Sequence, residues 1–99
     1  HVDKVFLGAD GFERRLGFLA ERQVTADAKK EFMKHASKVI ILMDATKVGA
    51  SRLFVPFAQP GNVDLVIMDT DPSDVVAEAA RVDGGRARVV EVVRQTAGL

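Results

Sequence analysis

The chain has no cysteine, tryptophan or tyrosine, and only two histidines and three prolines among its 99 residues. Without cysteine it can hold neither a disulfide nor a thiolate metal site, and with His1 and His35 alone it lacks a three-histidine zinc site. Long apolar runs are missing too. None approaches the roughly 18 residues of a membrane span, and the first residues lack the apolar centre of a signal peptide. A cytoplasmic chain with no metal, no cofactor and no membrane partner is the resulting expectation. Net charge is absent as well, fourteen bases balancing fourteen acids. That balance argues against a protein whose main task is gripping DNA or RNA, because phosphate neutralisation needs a basic face.

What is present is 47% apolar residues on a chain long enough to bury one core without staples. With no repeat, low-complexity tract or Pro/Ser-rich linker, residues 1–99 are expected to form a single domain. The zero charge hides an uneven distribution: residues 1–50 sum to +2 and residues 51–99 to −2, and every lysine lies at or before Lys47. From Gly61 to Ala80 there are acids and no base, as in a solvated acidic helix and its loops.

Apolar runs with β-branched residues occur at Lys4 to Leu7, Val39 to Met43, Arg52 to Phe57, Val63 to Met68 and Ala87 to Val93. The second and fourth are nearly continuous, which predicts central parallel strands covered by helices on both faces. Pro56 places the third run at an edge or a bend. Between the runs lie helical patterns. One is predicted from a Thr25 cap, with Asp27 in its first turn, through Ser37, burying Ala28, Phe32 and Ala36 with Met33 beside them. Another has Asp71 as cap, Pro72 at its first position and Asp74 in its first turn. It buries Val75, Val76 and Ala79, and Gly84-Gly85 stops it. The pattern as a whole is α/β.

Three strands end alike: Leu7 leads into Gly8-Ala9-Asp10-Gly11, Met43 into Asp44 and Met68 into Asp69. In an open parallel sheet the carboxyl ends of the strands share one edge, where ligands bind. Three carboxylates are therefore expected to converge, with Lys47 able to offset their charge or meet an anion. The competing reading is that each aspartate serves a turn or helix cap through its own backbone bonds. Asp69, ahead of Thr-Asp-Pro, is the weakest ligand candidate; Asp10, between glycines that permit close backbone approach, is a better one. There is no dinucleotide fingerprint, no phosphate loop ending in Gly-Lys-Ser/Thr and no Gly-x-Ser-x-Gly elbow. His35 falls on the polar side of the first helix, the place of a surface histidine more than of a general base. Phe6, Phe32 and Phe54 are expected in the core. Phe12 and Phe18 lie in Gly11 to Val24, which lacks clean periodicity and reads equally as a functional lid or as an irregular helix with Arg14, Arg15 and Arg22 in water.

Taken in order, GADGF at Gly8 to Phe12, Gly17, the helix bearing Lys29 and ending in ASK, LMDATKVG at Leu42 to Gly49 and VDLVIMD at Val63 to Asp69 resemble the effector-binding domain of DeoR-type bacterial transcriptional regulators. The likeness runs from Asp3 to Asp69. It implies a Rossmann-like three-layer sandwich with a mainly parallel sheet, in part the fold of ribose-5-phosphate isomerase and glucosamine-6-phosphate deaminase. It also implies a non-catalytic sensor of a phosphorylated sugar or related metabolite. The family's motifs fall on Gly8, Asp10, Gly11, Lys29, Asp44 and Lys47, the expected ligand-binding residues. Three positions depart from the family pattern. Gly17-Phe18-Leu19-Ala20 stands where two threonines are usual, Thr25 where an acid precedes the helix lysine, and Val48 where the lysine segment has Phe. They imply a less polar or differently shaped effector.

The resemblance further implies that the chain begins midway through the sensor fold, without the winged helix-turn-helix and the glycine/threonine-rich anion loop of full-length regulators. A repressor-like action would then pass through the parent protein, with no direct nucleic-acid contact by this piece. The first strand would present an unpaired edge that favours a homo-oligomer. The alternatives are a small sugar-phosphate isomerase or deaminase, with Asp10 or Asp44 as base beside Lys47, and a purely structural or oligomerisation module.

Overall fold

The computed structural model describes residues 1–49, 54–83 and 87–92. In chain order it has β1 (Val2–Gly8), β2 (Gly11–Glu13), β3 (Gly17–Ala20), α1 (Gln23–Lys34), β4 (Ala36–Met43), β5 (Val55–Ala58), β6 (Leu65–Met68), α2 (Val75–Val82) and β7 (Arg88–Glu91). Four strands form a parallel sheet in the order β1-β4-β6-β7. The two near-continuous apolar runs take its inner positions, as their composition requires, with Ile40 opposite Leu65 and Met43 opposite Met68. The architecture is α/β with a mainly parallel sheet, as expected.

The stretch from Gly11 to Val24 is neither a lid nor an irregular helix. It supplies β2 and β3, which join β5 in a second, antiparallel sheet of order β2-β3-β5. The hairpin closes because Glu13 accepts bonds from the backbone N–H groups of Arg15 and Leu16, each at 2.9 Å. Gly17 then takes a left-handed φ of 86°. A Cβ there would run into the carbonyl oxygen of Ala58, so glycine is required on two grounds. Phe12 and Phe18 are cross-strand partners with ring centroids 5.0 Å apart, and both are fully buried. Pro56 lies on the edge strand β5, where its missing N–H costs no ladder bond. Arg52 and Leu53 of the predicted third run lie outside the described residues, as do Gly84, Gly85 and Val93.

Helix α1 starts at Gln23, behind an Arg22 that makes no side-chain cap, and ends at Lys34. The Thr25 cap is therefore not used. The predicted last turn, through Ser37, is taken by the sheet instead: Ala36 pairs with Val2, whose N–H donates to the carbonyl of His35. The buried stripe differs as well. Ala26 is buried and Lys29 and Met33 are half-buried, while Ala28 and Phe32 are exposed. One position along a helix is roughly 100° around it, so the side that α1 lays onto β3, β4 and β5 is turned by about a quarter of the helix from the expected one, with Met33 common to both.

The second helix follows its punctuation more closely. Pro72 opens a short 3-10 turn over Pro72–Asp74, in which Ser73 and Asp74 have φ near +50°. Asp71 reaches past this turn, its two oxygens accepting from Val76 N–H at 3.0 Å and Ala77 N–H at 2.9 Å. It is the buried charged residue that caps α2. Val76, Ala79 and Ala80 form the buried side.

Successive side chains of a strand point to opposite faces. On one face of the parallel sheet Leu7, Val39, Ile41, Met43, Val66 and Met68 share a single core with Phe12, Phe18, Ala26, Phe57, Val76 and Ala79. Both helices and the smaller sheet thus lie on that face. The other bears Phe6, Leu42 and Val90, exposed by 56%, 43% and 41%. Ile40 on that face is buried, with 6% exposed, so among the described residues the face is open only in part, where the apolar strands imply cover on both sides. No helix among the described residues is long and apolar enough to cross a membrane.

Candidate functional site

Parallel strands bring their carboxyl ends to one edge, and hydrogen bonds here tie three of those ends together. Ala9 N–H donates to the Leu42 carbonyl at 3.3 Å, linking the exit of β1 to β4. Gly49 N–H donates to the Phe12 carbonyl at 2.8 Å, so the segment Asp44 to Gly49 folds back onto the Gly-Ala-Asp-Gly turn. Asp69 accepts from Ala45 N–H at 2.8 Å and from Thr70 N–H at 2.7 Å, joining the end of β6 to the same segment.

The helix lysine is held in place. Lys29, half-buried on α1, donates from Nζ to the Gly8 carbonyl at 2.5 Å, and its ammonium lies 4.9 Å from the centre of the Phe57 ring. A carbonyl acceptor and an aromatic face together localise a cation, here at the exit of β1. Gly8 is exposed and Gly11, the first residue of β2, is buried. Asp10 is half-buried; its Oδ2 accepts from Glu21 N–H at 2.9 Å, and its own N–H donates to the Leu19 carbonyl at 2.8 Å. The structure therefore brings Lys29 to Gly8, and fixes Asp10 between the first turn and the approach to α1.

Asp44 accepts at Oδ1 from Thr46 N–H at 2.9 Å and from the Thr46 hydroxyl, capping a short 3-10 turn over Ala45–Lys47. Lys47 Nζ lies 3.9 Å from Asp44 Oδ2. The Thr46 hydroxyl first, then the Thr46 backbone and the Lys47 charge, hold the Asp44 carboxyl below its ordinary range, against the opposing effect of desolvation. Of the three strand-end aspartates, Asp44 thus makes the local capping bonds of the competing reading, whereas Asp10 and Asp69 each accept from a backbone N–H distant in the chain, of Glu21 and of Ala45. For Asp10 and Asp69 one oxygen has no bonding partner among the described residues.

Sequence reasoning missed Phe57 and Thr46. Phe57 is distant in sequence from Lys29, and only the packing of α1 on β5 makes them neighbours. Thr46 had a signal, since an aspartate two residues before a threonine is a turn pattern. His35 is exposed and bonds Glu31 at 3.2 Å, a surface arrangement. Leu19 and Ala20, in place of the usual threonines, are fully buried, so neither presents a surface to a ligand. Two clefts, of 460 Å³ beside Arg14, Arg15 and Glu78 and of 350 Å³ beside Lys30, Lys34 and Asp64, include none of the candidate residues. Among the described residues no group of three or more His, Cys, Asp or Glu is arranged to hold a metal.

What the edge offers is two cations, a carbonyl-rich turn and acidic oxygens in an open rim. Comparison with curated proteins gives no match, and comparison with solved structures gives none. The family model described as the DeoR C-terminal sensor domain matches residues 1–70, from β1 through the end of β6 and every candidate position. The matched segment carries the turn, the helix lysine and the Asp44 to Gly49 return in one connected edge, and the chain belongs to the DeoR C-terminal sensor domain family, the ligand-sensing domains of transcriptional regulators.

Proposed function

We propose that this chain senses a phosphorylated sugar or related metabolite at the carboxyl edge of its parallel sheet. Lys29 and Lys47 take the anionic group, Asp10 and Asp44 accept from hydroxyls, Gly8 lets the ligand approach the backbone, and the buried Gly11 holds the turn behind it. The observation that carries this reading is the Lys29 ammonium, held by the Gly8 carbonyl and the Phe57 face at the strand exit. Ligand binding favours one arrangement of the domain, and that preference controls DNA binding by a helix-turn-helix elsewhere in the regulator. The piece itself makes no nucleic-acid contact in this scheme, acts in the cytoplasm and works in a homo-oligomer.

Sensing is preferred to turnover on chemical grounds. A general acid or base works best with its pKa near the operating pH, whereas Asp44 is displaced downward, away from neutrality. The usual effector polarity is kept in this reading, because the residues that replace the threonines are buried rather than exposed to a ligand.

Calorimetric titration and thermal melting against a panel of sugar phosphates test the proposal. A true effector at 100 times its dissociation constant stabilises the domain by about 2.7 kcal/mol. Lys29→Met and Lys47→Met abolish the shift, and the same sugars without phosphate give none. A shift that survives both substitutions overturns the assignment of the site. Conversion of the ligand during titration, lost in Asp44→Asn, overturns the choice of sensor over enzyme.

A further inference from the structure

The larger of the two clefts away from the strand edge has three walls: the tip of the β2–β3 hairpin, a 3-10 turn over Pro60–Asn62 and the end of α2. At 460 Å³ it has the size of a small-ligand site. Hydrogen bonds tie the walls to one another. Gln59 donates from Nε2 to the Leu16 carbonyl at 2.9 Å, fixing the hairpin tip to the turn, and Gly61 N–H donates to Asp83 Oδ2 at 2.6 Å, fixing the turn to the end of α2. Glu13 holds the tip itself through the N–H groups of Arg15 and Leu16. A cleft whose walls are set before a ligand arrives loses little freedom on binding.

Its charges are sorted along α2. Arg14 and Arg15 line it from the hairpin, and neither guanidinium donates a hydrogen bond among the described residues. The acid facing them, Glu78, is already engaged: both of its oxygens accept from Arg81, and the charge of Arg14 reaches it as well. That end therefore holds three cations against one acid. At the other end stands Asp83, whose Oδ2 is taken by Gly61 and whose Oδ1 has no bonding partner among the described residues. The end of a helix also carries the negative pole of its dipole, which favours a cation there. Glu78 and Asp83 are five residues apart, so at about 1.5 Å per residue the two ends lie roughly 7 Å apart along α2. Between them the floor is apolar, built of the buried Pro60 and Ala79, with Val82 at the rim and 74% exposed.

We propose that this cleft is a second ligand site, for a small zwitterion whose carboxylate and ammonium are separated by a methylene chain, with the carboxylate at Arg14 and Arg15 and the ammonium at Asp83. An ω-amino acid of about six carbons has this span, since six extended backbone-like bonds cover roughly 7 Å. The apolar floor selects methylenes over a dipeptide, whose amide would lose its bonds to water there. A sugar phosphate suits the cleft poorly, because it brings no cation to Asp83 and sets an anion beside it. The site shares no residue with the carboxyl edge of the sheet, so the assignment is independent of the effector reading above.

Titration of the isotope-labelled chain with ε-aminocaproate, followed by amide NMR, reads the site directly. The expected result is saturable shifts of the Leu16, Gly61, Val82 and Asp83 amides, with a dissociation constant of about 1 mM or below. Hexanoate, which lacks the ammonium, hexylamine, which lacks the carboxylate, and the shorter β-alanine each bind at least about tenfold more weakly. Arg14→Gln combined with Arg15→Gln weakens ε-aminocaproate by about tenfold, and so does Asp83→Asn, which keeps an acceptor for Gly61 N–H. Asp83→Asn also removes the advantage of ε-aminocaproate over hexanoate, a change that a merely structural role of Asp83 would not produce. Circular dichroism melts confirm that each variant is folded. The absence of saturable shifts with ε-aminocaproate overturns the proposal. So does equal binding of hexanoate to the unsubstituted chain, or undiminished binding to the folded double arginine variant. Shifts confined to the amides of Gly8, Asp10 and Asp44 would assign the ligand to the strand edge and overturn it as well.

Discussion

Phe12 and Phe18 lie in the segment with the least regular pattern, and both are fully buried; Phe6 and Phe32 lie in regular elements, and both are more than half exposed. The contrast teaches where this fold draws its stability. The irregular segment is a hairpin that closes the core over one face of the parallel sheet, while β1 and α1 each turn a large ring outward. An aromatic side chain gains from burial only where another layer meets it. Here the layer is the small antiparallel sheet.

Substitution at the two kinds of phenylalanine is the sharpest test of that contrast. Phe18→Ala removes a fully buried ring from the core and is expected to cost about 3–5 kcal/mol, enough to abolish cooperative melting in a small domain. Phe32→Ser, on the exposed side of α1, is expected to stay within about 0.5 kcal/mol. Chemical denaturation of the two variants side by side measures both, and equal losses would break the comparison.

The same contrast holds for carboxylates. Asp71 is buried and serves two backbone N–H groups of α2. Asp71→Ala leaves both without their acceptor and is expected to cost about 2 kcal/mol, read as a lowered denaturation midpoint with loss of helical signal. Asp44 also caps a turn, but in water. Its pKa is lowered in the folded chain, so its contribution is present above the unfolded value and is lost as pH falls through the folded one. A small additional drop in melting temperature is expected below the ordinary value of 3.8, and Thr46→Val removes it by deleting the hydroxyl bond that is the leading cause of the shift. This is the smallest of the effects, because solvent screens an exposed carboxylate.

The parts legible in the sequence were those written locally. Unbroken apolar runs marked β4 and β6 as inner strands, Pro56 marked an edge, and Asp71-Pro72 marked the entry to α2. Repeated aspartates after strands identified the edge that joins Gly8, Lys29, Asp44 and Asp69. Less was legible where a partner distant in the chain decides the outcome. Helix α1 has apolar residues on two sides, and which side is buried depends on β5, far along the chain. The end of α1 depends on Val2, which draws Ala36 into the parallel sheet. Each strand-end aspartate was suited to a ligand or to a turn, and the bonds that Asp10 and Asp69 make to Glu21 and Ala45 became visible only once those distant residues were in position.

Sequence alone therefore determined the class of fold, the inner strands, the capping of the second helix and the chemical character of the strand-end rim. These follow from side-chain periodicity and local backbone bonding, which need only neighbouring residues. Tertiary structure decided which phenylalanines form the core, which side of α1 is buried, and that Lys29 meets Gly8 and Phe57. It also decided that, among the described residues, β1 and β4 leave Phe6 and Leu42 exposed on one face of the sheet. Those outcomes depend on layers meeting in space, and burial is a property of both surfaces in contact.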